Sequence, residues 1–294
     1  MHQECKISII TVNYNGLKDT CELLDRLPLE NSSLEVIVVD NASKNDEAAI
    51  LRERYPLARI IRSDSNLGFA GGNNKGIVEA TGQYLFFLNN DTVIDDVEGC
   101  LNALVARLES NPRIGMVCPK IRFTWGERPI QFAGYTPLSP ITMRNRSIGF
   151  GEQDQGQYDT PHVTPYAHGA AMMLRREALD TIGPMPVCYF LYYEELDWSV
   201  MLTRAGYEIW YEPAATVFHK ESQTTGQDSP LRTYYITRNR LTFVSRNGQA
   251  VKKYLSFLYL IFGVGIRDIF KHLCHHRRDL ASATFRGIRD FIKH

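Results

Sequence analysis

The segment KISIITVNYNGLKDTCELLDRLPLENSSLEVIVVD, residues 6–40, contains an apolar run, a helical pattern and a second apolar run. Residues 6–13 and 34–40 are rich in β-branched side chains, and each run ends in a polar residue. The intervening residues 17–27 have helical spacing, and Pro28 stops them. Strand–helix–strand units of this kind form parallel pairs with right-handed crossovers. The segment therefore predicts an α/β fold.

The same alternation continues along the chain. Further strands are predicted at residues 58–62, 84–88, 114–121, 170–174, 207–211 and 215–219, and further helices at residues 45–55, 72–80, 97–108, 176–182 and 194–205. Residues 124–164 are rich in Gly, Pro, Gln and Ser and are predicted as a long functional loop or β-excursion. Ligands of open parallel sheets bind beyond the carboxyl ends of the strands. The polar residues that follow the first four strands should therefore share one edge.

Composition limits the classes of function. The 294 residues are 44% hydrophobic, which favours a folded chain with one large core. Lys plus Arg and Asp plus Glu both number 33, so no net field selects nucleic acid as a partner. The N-terminus reads directly as a strand without a secretory pattern, so we expect a cytoplasmic protein. Its six scattered cysteines are then expected to be reduced.

Two segments at the predicted ligand edge carry polar groups. Asn89-Asn90-Asp91-Thr92 follows an apolar strand and offers Asp91 either as a metal ligand or as the cap of the next helix. The segment from Asn66 to Asn74 is glycine-rich, so its backbone can approach a ligand closely. It lacks the GxGxxG spacing and the following acid of nicotinamide-binding folds, which disfavours such a fold.

A third segment, Tyr192-Tyr-Glu-Glu-Leu-Asp-Trp198, places three carboxylates beside aromatic rings. Apolar surroundings raise the pKa of a carboxylate towards the range of a general base, although acids in a first helical turn also suit the helix dipole. His219 ends a short predicted strand. A lone histidine is usually structural, and it becomes a metal-ligand candidate only if it converges on Asp91.

Together these segments resemble glycosyltransferase family 2, in particular its rhamnosyltransferase-like branch. The resemblance covers about residues 5–247, and its matching pieces occur in the expected order: residues 11–16, 38–43, 66–74, 88–92, 156–158, 169, 190–198, 205–207, 219–220 and 235–240. It implies a GT-A fold, in which a mostly parallel, Rossmann-like sheet is flanked by helices, and an inverting transfer of a sugar from a nucleoside diphosphate.

The resemblance also implies roles for individual residues. Asp40 matches the acid that contacts the nucleobase, and the donor site is expected to include Val12, Tyr14, Asp40, Asn66, Gly68, Asn90 and Asp91. Asp91 matches the last acid of the family's DXD metal motif, and His219 matches a metal-ligand histidine, so both should hold Mg²⁺ or Mn²⁺. Glu195 falls at the position of the general base. This chain has Glu-Glu where the family commonly has Glu-Asp, so Glu194 and Asp197 stay open as alternatives.

The resemblance leaves the substrates open. The donor is expected to be dTDP-rhamnose or a UDP-hexose, and the acceptor a glycan or lipid-linked molecule of cell-surface polysaccharide or glycolipid assembly. A catalytically silent sugar-nucleotide-binding or scaffold protein is one alternative. A nucleotidyltransferase is another, but the turn after the first strand, residues 13–16, lacks the basic residues of its phosphate loop. Assembly into a homo-oligomer also stays open.

The last part of the chain differs in character. We place a domain boundary after Asn247, with a catalytic domain over residues 1–247 and a helical segment over residues 248–294. Residues 254–266 are apolar but too short to span a bilayer, and a predominantly basic stretch follows them. This combination predicts peripheral binding to an anionic membrane at its cytoplasmic face, or else a helical appendage that packs on the catalytic domain or a second subunit.

Overall fold

The structure is a computed structural model that describes residues 7–220 and 229–293, and a ten-stranded sheet forms the centre of this part of the chain. The strands are β1 (Ile7–Asn13), β2 (Leu34–Asp40), β3 (Arg59–Arg62), β4 (Tyr84–Leu88), β5 (Thr92–Val93), β6 (Ile114–Phe123), β7 (Ile130–Phe132), β8 (His162–Val163), β9 (Ala171–Arg175) and β10 (Glu208–His219). The helices up to the last strand are α1 (Leu17–Leu24), α2 (Glu47–Arg54), α3 (Gly68–Glu79), α4 (Val97–Glu109), α5 (Arg176–Ile182) and α6 (Glu194–Arg204).

The sheet has the order β3-β2-β1-β4-β9-β6-β10-β5, with β7 beside β6 and β8 beside β10. The first four strands are parallel, as expected, so their carboxyl ends meet at one edge. Strand β9 is antiparallel to both β4 and β6, whereas β6 and β10 run parallel. This order brings the end of β10 beside β5, which follows β4 directly, and it therefore joins the two halves of the candidate site.

Three predicted elements, two strands and one helix, differ clearly from the observed ones. The strands expected at 207–211 and 215–219 are one strand, β10, because a register shift between Glu212 and Thr216 lets the chain continue past Pro213. Helix α3 begins at Gly68 rather than at 72, although glycine disfavours helices. A side chain on Gly76 would lie 2.5 Å from Ile10, so glycine permits the close packing of α3 on the sheet.

The main core fills both faces of the sheet. Its central strands β4 and β9 are wholly buried, and Trp198 of α6 packs edge-on against Phe87 with ring centres 5.3 Å apart. The indole N–H of Trp198 donates to the carbonyl of Gly183 at 3.0 Å. Helix α6 is thereby fixed against the sheet through its apolar face, which leaves its first turn at the sheet's functional edge.

Helices form the last part of the described chain. They are α7 (Pro230–Asn247), α8 (Ala250–Leu258), a π-helical segment (Tyr259–Gly265), α9 (Ile266–Cys274) and α10 (Arg278–Lys293). A second apolar cluster, which includes Tyr189, Tyr193, Leu241 and Leu260, joins them to the loop before α6. Within residues 7–220 and 229–293, no helix has both the length and the apolarity to cross a bilayer.

The described cysteines, which are Cys21, Cys100, Cys118, Cys188 and Cys274, are all free thiols, and Cys5 lies outside the described residues.

Candidate functional site

Asn13 organises the carboxyl ends of the first two strands. Its buried side-chain amide donates to Asp40 Oδ1 at 3.0 Å and to Glu47 Oε2 at 2.8 Å, and its Oδ1 accepts from the Thr20 hydroxyl at 2.8 Å. The same hydroxyl accepts from the side-chain amide of Asn90 at 3.0 Å. These bonds fix the ends of β1, β2 and β4 relative to one another, because buried polar groups tolerate few alternative arrangements.

Asp40 lies at the end of β2 and is fully buried. Its Oδ1 accepts from Asn13, whereas its Oδ2 has no hydrogen-bond partner among the described residues. The nearest cation, Nε of Arg62, is 3.8 Å from this oxygen. A buried acceptor without a donor is costly, so this atom is suited to accept a hydrogen bond from a ligand.

The glycine-rich turn is held by two asparagines. Asn41 donates to Asn66 Oδ1 at 3.1 Å and to the carbonyl of Gly68 at 3.0 Å, while the Gly68 N–H donates to Asn66 Oδ1 at 2.9 Å. Val12 is half-buried next to this turn, and Tyr14 is 37% exposed at the end of β1. The predicted donor residues therefore lie along one edge of the sheet.

Asp91 and His219 converge at the centre of the site. His219 Nε2 lies 3.2 Å from Asp91 Oδ1, and the Lys220 N–H donates to the Asp91 carbonyl at 3.0 Å. Burial alone would raise the pKa of Asp91, but the hydrogen bond and charge of His219 outweigh it and lower the pKa. The sequence analysis made His219 a metal-ligand candidate only if it lay beside Asp91, and the structure places the two side chains together.

The other ring nitrogen of His219 tests whether this pair fits a metal. His219 Nδ1 lies 2.9 Å from Gln131 Oε1, which only accepts hydrogen bonds, so Nδ1 carries the proton. With Nδ1 protonated, Nε2 either donates an N–H to the Asp91 carboxylate when the ring is charged, which is the state that lowers the pKa of Asp91, or presents a lone pair to it when the ring is neutral. Two facing acceptors require a proton or a cation between them, and imidazole nitrogen with carboxylate oxygen is a suitable ligand pair for Mn²⁺.

Within residues 7–220 and 229–293, the pair has no third His, Cys, Asp or Glu ligand beside it. Among the described residues, no group of three or more His, Cys, Asp and Glu side chains is arranged to hold a metal. His168 is near, with its ring centre 6.3 Å from that of His219. Burial, with a smaller contribution from the charge of His219, lowers the pKa of His168 to about 3, so this ring is neutral.

The three carboxylates of α6 have different environments. Asp197 is buried and accepts from Arg246 Nε at 2.5 Å and from Asn247 Nδ2 at 2.7 Å, so it holds α7 against α6. Glu194 is also buried, its Oε2 has no partner, and burial followed by the charge of Glu195 raises its pKa well above the usual range. Glu195 is only half-buried, and burial raises its pKa to about 7.

The loop before α6 has a strained backbone that α7 holds in place. Tyr192 and Tyr193 have φ values of 69° and 80°, a region that costs bulky residues of order 1–3 kcal/mol each. Asn239 donates to the carbonyls of Leu191 and Tyr192 at 2.7 and 3.0 Å, and Arg240 Nε donates to the Tyr193 hydroxyl at 2.9 Å. Helix α7 therefore fixes the direction in which the first turn of α6 points.

Backbone segments connect Glu195 to the Asp91–His219 pair. A methyl group on Gly169 would lie 3.7 Å from Glu195 Cγ, and the neighbouring His168 contacts the ring of His219. Tyr135, from the loop between β7 and β8, stacks on His168 at 6.1 Å between ring centres. Burial, with the charge of Glu195, raises the pKa of this tyrosine. The carboxylate and the His–Asp pair therefore border one site.

The structure gathers every residue predicted from the sequence at this edge: Val12, Tyr14, Asp40, Asn66, Gly68, Asn90, Asp91, Glu195 and His219. Sequence reasoning missed Gln131, Tyr135 and His168, which lie in or after the long loop and have no motif of their own. Asn239 was within a matching segment, and its position in a helix otherwise rich in charged and aromatic residues was the available signal.

Residues 8–183 match the family model described as "Glycosyl transferase family 2". An N-acetylglucosaminyl-diphospho-decaprenol L-rhamnosyltransferase of Mycobacterium tuberculosis is 28% identical over 243 residues, which is 76% of this chain and 78% of that protein. The low-salt glycan biosynthesis hexosyltransferase Agl10 of Haloferax volcanii is 27% identical over 97% of this chain and 91% of its own length.

Solved structures with the same fold include a mannosyltransferase from Pyrobaculum calidifontis in complex with GDP-Man and Mn²⁺. Its TM-score is 0.58 at 17% identity, and the match covers 96% of this chain and 74% of that one. GalNAc-T7 with UDP, GalNAc and Mn²⁺ has a TM-score of 0.61 at 16% identity over 92% of this chain and 58% of that one. At this identity the likeness shows the GT-A fold alone.

The contact between Gly68 and Phe190 gives a testable prediction. Gly68 has a φ of 71°, and a methyl group there would lie 2.1 Å from the carbonyl oxygen of Phe190. Gly68→Ala should destabilise the protein by more than the roughly 1 kcal/mol expected for backbone strain alone and should displace the loop before α6. Gly126→Ala is the matched control, since Gly126 also has a positive φ of 57° but no atom within 4 Å of that position. Urea unfolding of both variants measures the difference, and equal losses would contradict the predicted steric clash.

Proposed function

The chain belongs to glycosyltransferase family 2, and we propose that it is an inverting, metal-dependent enzyme that transfers rhamnose or another hexose from a nucleoside diphosphate to an acceptor hydroxyl. The observation that supports this most directly is the placement of Glu195. This half-buried carboxylate, with a pKa of about 7, borders the same site as the Asp91–His219 pair. We propose cell-surface polysaccharide or glycolipid assembly as the context.

Glu195 is the proposed general base. Its pKa near neutrality suits it to accept the proton of an acceptor hydroxyl at the moment that the oxygen attacks. The oxygen bonds to the anomeric carbon from the face opposite the leaving diphosphate, and the bond from that carbon to the diphosphate oxygen breaks, which inverts the configuration. Glu194 is more deeply buried than Glu195, and both carboxylate oxygens of Asp197 are engaged by α7, so Glu195 is the most accessible of the three.

Asp91 and His219 are the proposed protein ligands of Mn²⁺ or Mg²⁺. Such an ion, when bound, supplies positive charge beside the leaving diphosphate. Gln131 orients the His219 ring, and the Lys220 N–H holds the backbone carbonyl of Asp91, so the protein fixes the ring and the backbone that carries the carboxylate. Hard cations in phosphate chemistry commonly combine one or two protein ligands with phosphate and water oxygens, and the two ligands found among the described residues would suit such a site.

The donor's nucleoside is proposed to bind at the ends of β1 and β2. The unpartnered Oδ2 of Asp40 can accept the imide N–H that uracil and thymine share, which fits a UDP- or dTDP-sugar. Tyr14 offers an exposed ring beside it. Asn66 and Gly68 line the same edge, where the absence of a side chain on Gly68 lets the turn pack against the Phe190 carbonyl.

The acceptor is proposed to be a glycan attached to a lipid, reached at the cytoplasmic face of a membrane. The helical stretch formed by α8, the π-helical segment and α9 exposes a row of large apolar side chains: Val251, Tyr254, Leu255, Leu258, Phe262, Ile266, Phe270 and Leu273. Exposed basic residues, among them Lys252, Arg267, Lys271 and Arg278, flank this row. An apolar face with basic flanks suits the interface of an anionic bilayer.

The assignment of Glu195 as the general base predicts a loss of turnover on substitution and a specific dependence of turnover on pH. Glu195→Gln should retain donor binding and lower turnover by about a hundredfold or more, since the amide cannot accept the proton. Turnover of the unmodified enzyme should rise as pH increases through about 7, because only the ionised Glu195 acts as a base. Both are measured as sugar transfer with Mn²⁺ and a panel of UDP- and dTDP-sugars.

Glu194→Gln serves as the comparison, and it should keep most of the turnover. A normal rate for Glu195→Gln with a loss in Glu194→Gln would move the base to Glu194. If the purified protein neither transfers sugar nor hydrolyses any donor, the catalytically silent alternative is favoured instead.

The proposed donor site predicts that substitutions of Asp91 and Asp40 affect ligand binding differently. Asp91→Asn should weaken Mn²⁺-dependent binding of UDP about tenfold or more and leave binding of uridine unchanged, because only UDP carries the diphosphate. Asp40→Asn should weaken both ligands, because the base is common to them. Calorimetric titration with and without EDTA separates these effects, and UDP binding that ignores EDTA would refute the metal proposal.

The membrane proposal predicts that the exposed apolar row drives vesicle binding. Replacing Phe262 and Phe270, which are 62% and 63% exposed, by Ser should sharply lower co-sedimentation with phosphatidylglycerol vesicles. Val78→Ser is the control, since Val78 is 81% exposed on the distant helix α3. These substitutions keep the second apolar cluster intact, which removal of the C-terminal helices would expose. Equal sedimentation of both variants would assign the row to another partner.

A further inference from the structure

A cavity of about 200 Å³ lies outside the site described above, between α7, the π-helical segment, α9, α10 and the loop before β8. Three arginines line it, Arg144 from the loop and Arg232 and Arg240 from α7, and His272 of α9 stands with them. Its apolar lining includes Leu241, Leu260 and Val264, which belong to the second apolar cluster. The cavity thus combines a basic wall with an apolar floor.

The charges of the cavity favour an anion. Asp268 is the one carboxylate among its described lining residues, and it pairs with Arg267, which lies outside the lining, at 2.7 Å. The guanidinium of Arg144 is exposed and has no carboxylate within 4 Å in the described chain. Guanidinium groups bind phosphate oxygens with paired N–H donors, so converging arginines form a typical phosphate site.

The cavity is directly connected to the loop that carries the catalytic helix. Arg240 donates to the hydroxyl of Tyr193, two residues before Glu195, and the guanidinium of Arg232 lies 5.9 Å from the centre of the Tyr192 ring. The helical stretch that lines the cavity with Leu260 and Val264 also carries the exposed apolar row on another face. A phosphate bound here would therefore lie between the catalytic loop and the proposed membrane surface.

We propose that this cavity binds the phosphate or diphosphate group of a lipid-linked acceptor. The inference rests on the proposed function, and it assigns a recognition element to the acceptor rather than to the donor. The arginines select the anionic linkage, and the apolar floor receives the first part of the hydrocarbon chain. The sugar attached to the other side of the phosphate is thereby directed towards Glu195.

Binding of soluble probes to the full chain tests the cavity. The probes are inorganic pyrophosphate and farnesyl diphosphate, titrated in EDTA so that metal-dependent binding at the donor site does not contribute. Both should bind saturably, with farnesyl diphosphate the tighter because its chain contacts the apolar floor. Arg144→Gln should weaken both about tenfold, the usual scale for loss of a charged phosphate contact. The Arg144→Gln, Arg232→Gln double variant should weaken them further.

Lys252→Gln is the matched control, because it removes a positive charge from the same helical region outside the cavity lining. It should leave both affinities unchanged. Circular dichroism confirms folding of each variant, and Arg144 is exposed, so its replacement should not disturb the core. Absence of saturable binding, or equal losses in the Arg144 and Lys252 variants, would overturn the proposal.

A vesicle measurement distinguishes an acceptor phosphate from a bulk lipid headgroup. Phosphatidylglycerol vesicles should bind the Arg144→Gln variant at least as well as the Lys252→Gln variant, because Lys252 flanks the exposed apolar row whereas Arg144 lines the cavity. Selective loss of vesicle binding in Arg144→Gln, with farnesyl diphosphate binding intact, would instead assign the cavity to a membrane headgroup and overturn the proposal.

Arginine-dependent probe binding without any sugar transfer would support the phosphate site and reject the proposed function. Sugar transfer that depends on Glu195, together with probe affinities that Arg144→Gln leaves unchanged, would support the proposed function and reject the phosphate site.

Discussion

The close backbone contact between Gly68 and Phe190 is the constraint on which the site depends. The Phe69 N–H donates to the Phe190 carbonyl at 3.0 Å, and the positive φ of Gly68 leaves no room for a side chain beside that oxygen. This single contact joins the carboxyl edge of the parallel strands to the loop that precedes the acidic helix α6. Asparagines support it from both sides, Asn41 and Asn66 at the turn and Asn239 at the loop. Backbone packing and the side-chain amides of these asparagines therefore hold the parts of the site together.

Burial gives three neighbouring carboxylates three different properties. Asp197 is matched by Arg246 and Asn247 and serves as a structural anchor. Glu194 is buried without a partner for one oxygen, whereas Glu195, one residue further, is half-exposed with a pKa near 7. Because ionised groups are costly in apolar surroundings, a rotation of about 100° around the helix per residue is enough to change the protonation behaviour of a side chain. The strained tyrosines that precede the helix fix this rotation.

The C-terminal helices support the candidate site as well as forming part of the molecular surface. Helix α7 holds the acidic loop through Asn239 and Arg240, and α10 packs closely along α7, where a methyl on Gly287 would lie 2.9 Å from the Tyr234 carbonyl. The boundary after Asn247 coincides with the end of α7 and stays a prediction about domain organisation. Because the second apolar cluster contains residues from both sides of this boundary, the helical segment and the catalytic loop should respond together to a bound ligand.

The amino-acid sequence by itself determined the α/β fold, the family resemblance and the strand ends at which polar residues gather, because β-branched runs and helical spacing are local patterns. It also placed Asp40, Asp91 and Glu195 at the functional edge through ordered motifs. Only the tertiary structure distinguished the environments of Glu194, Glu195 and Asp197, since their burial and partners depend on α7, which lies about fifty residues away in sequence. It also revealed Gln131 and His168 beside His219, and the arginine-lined cavity. These features join distant segments of the chain, and no local pattern of residues encodes a contact between side chains that meet only when the sheet and the C-terminal helices pack together.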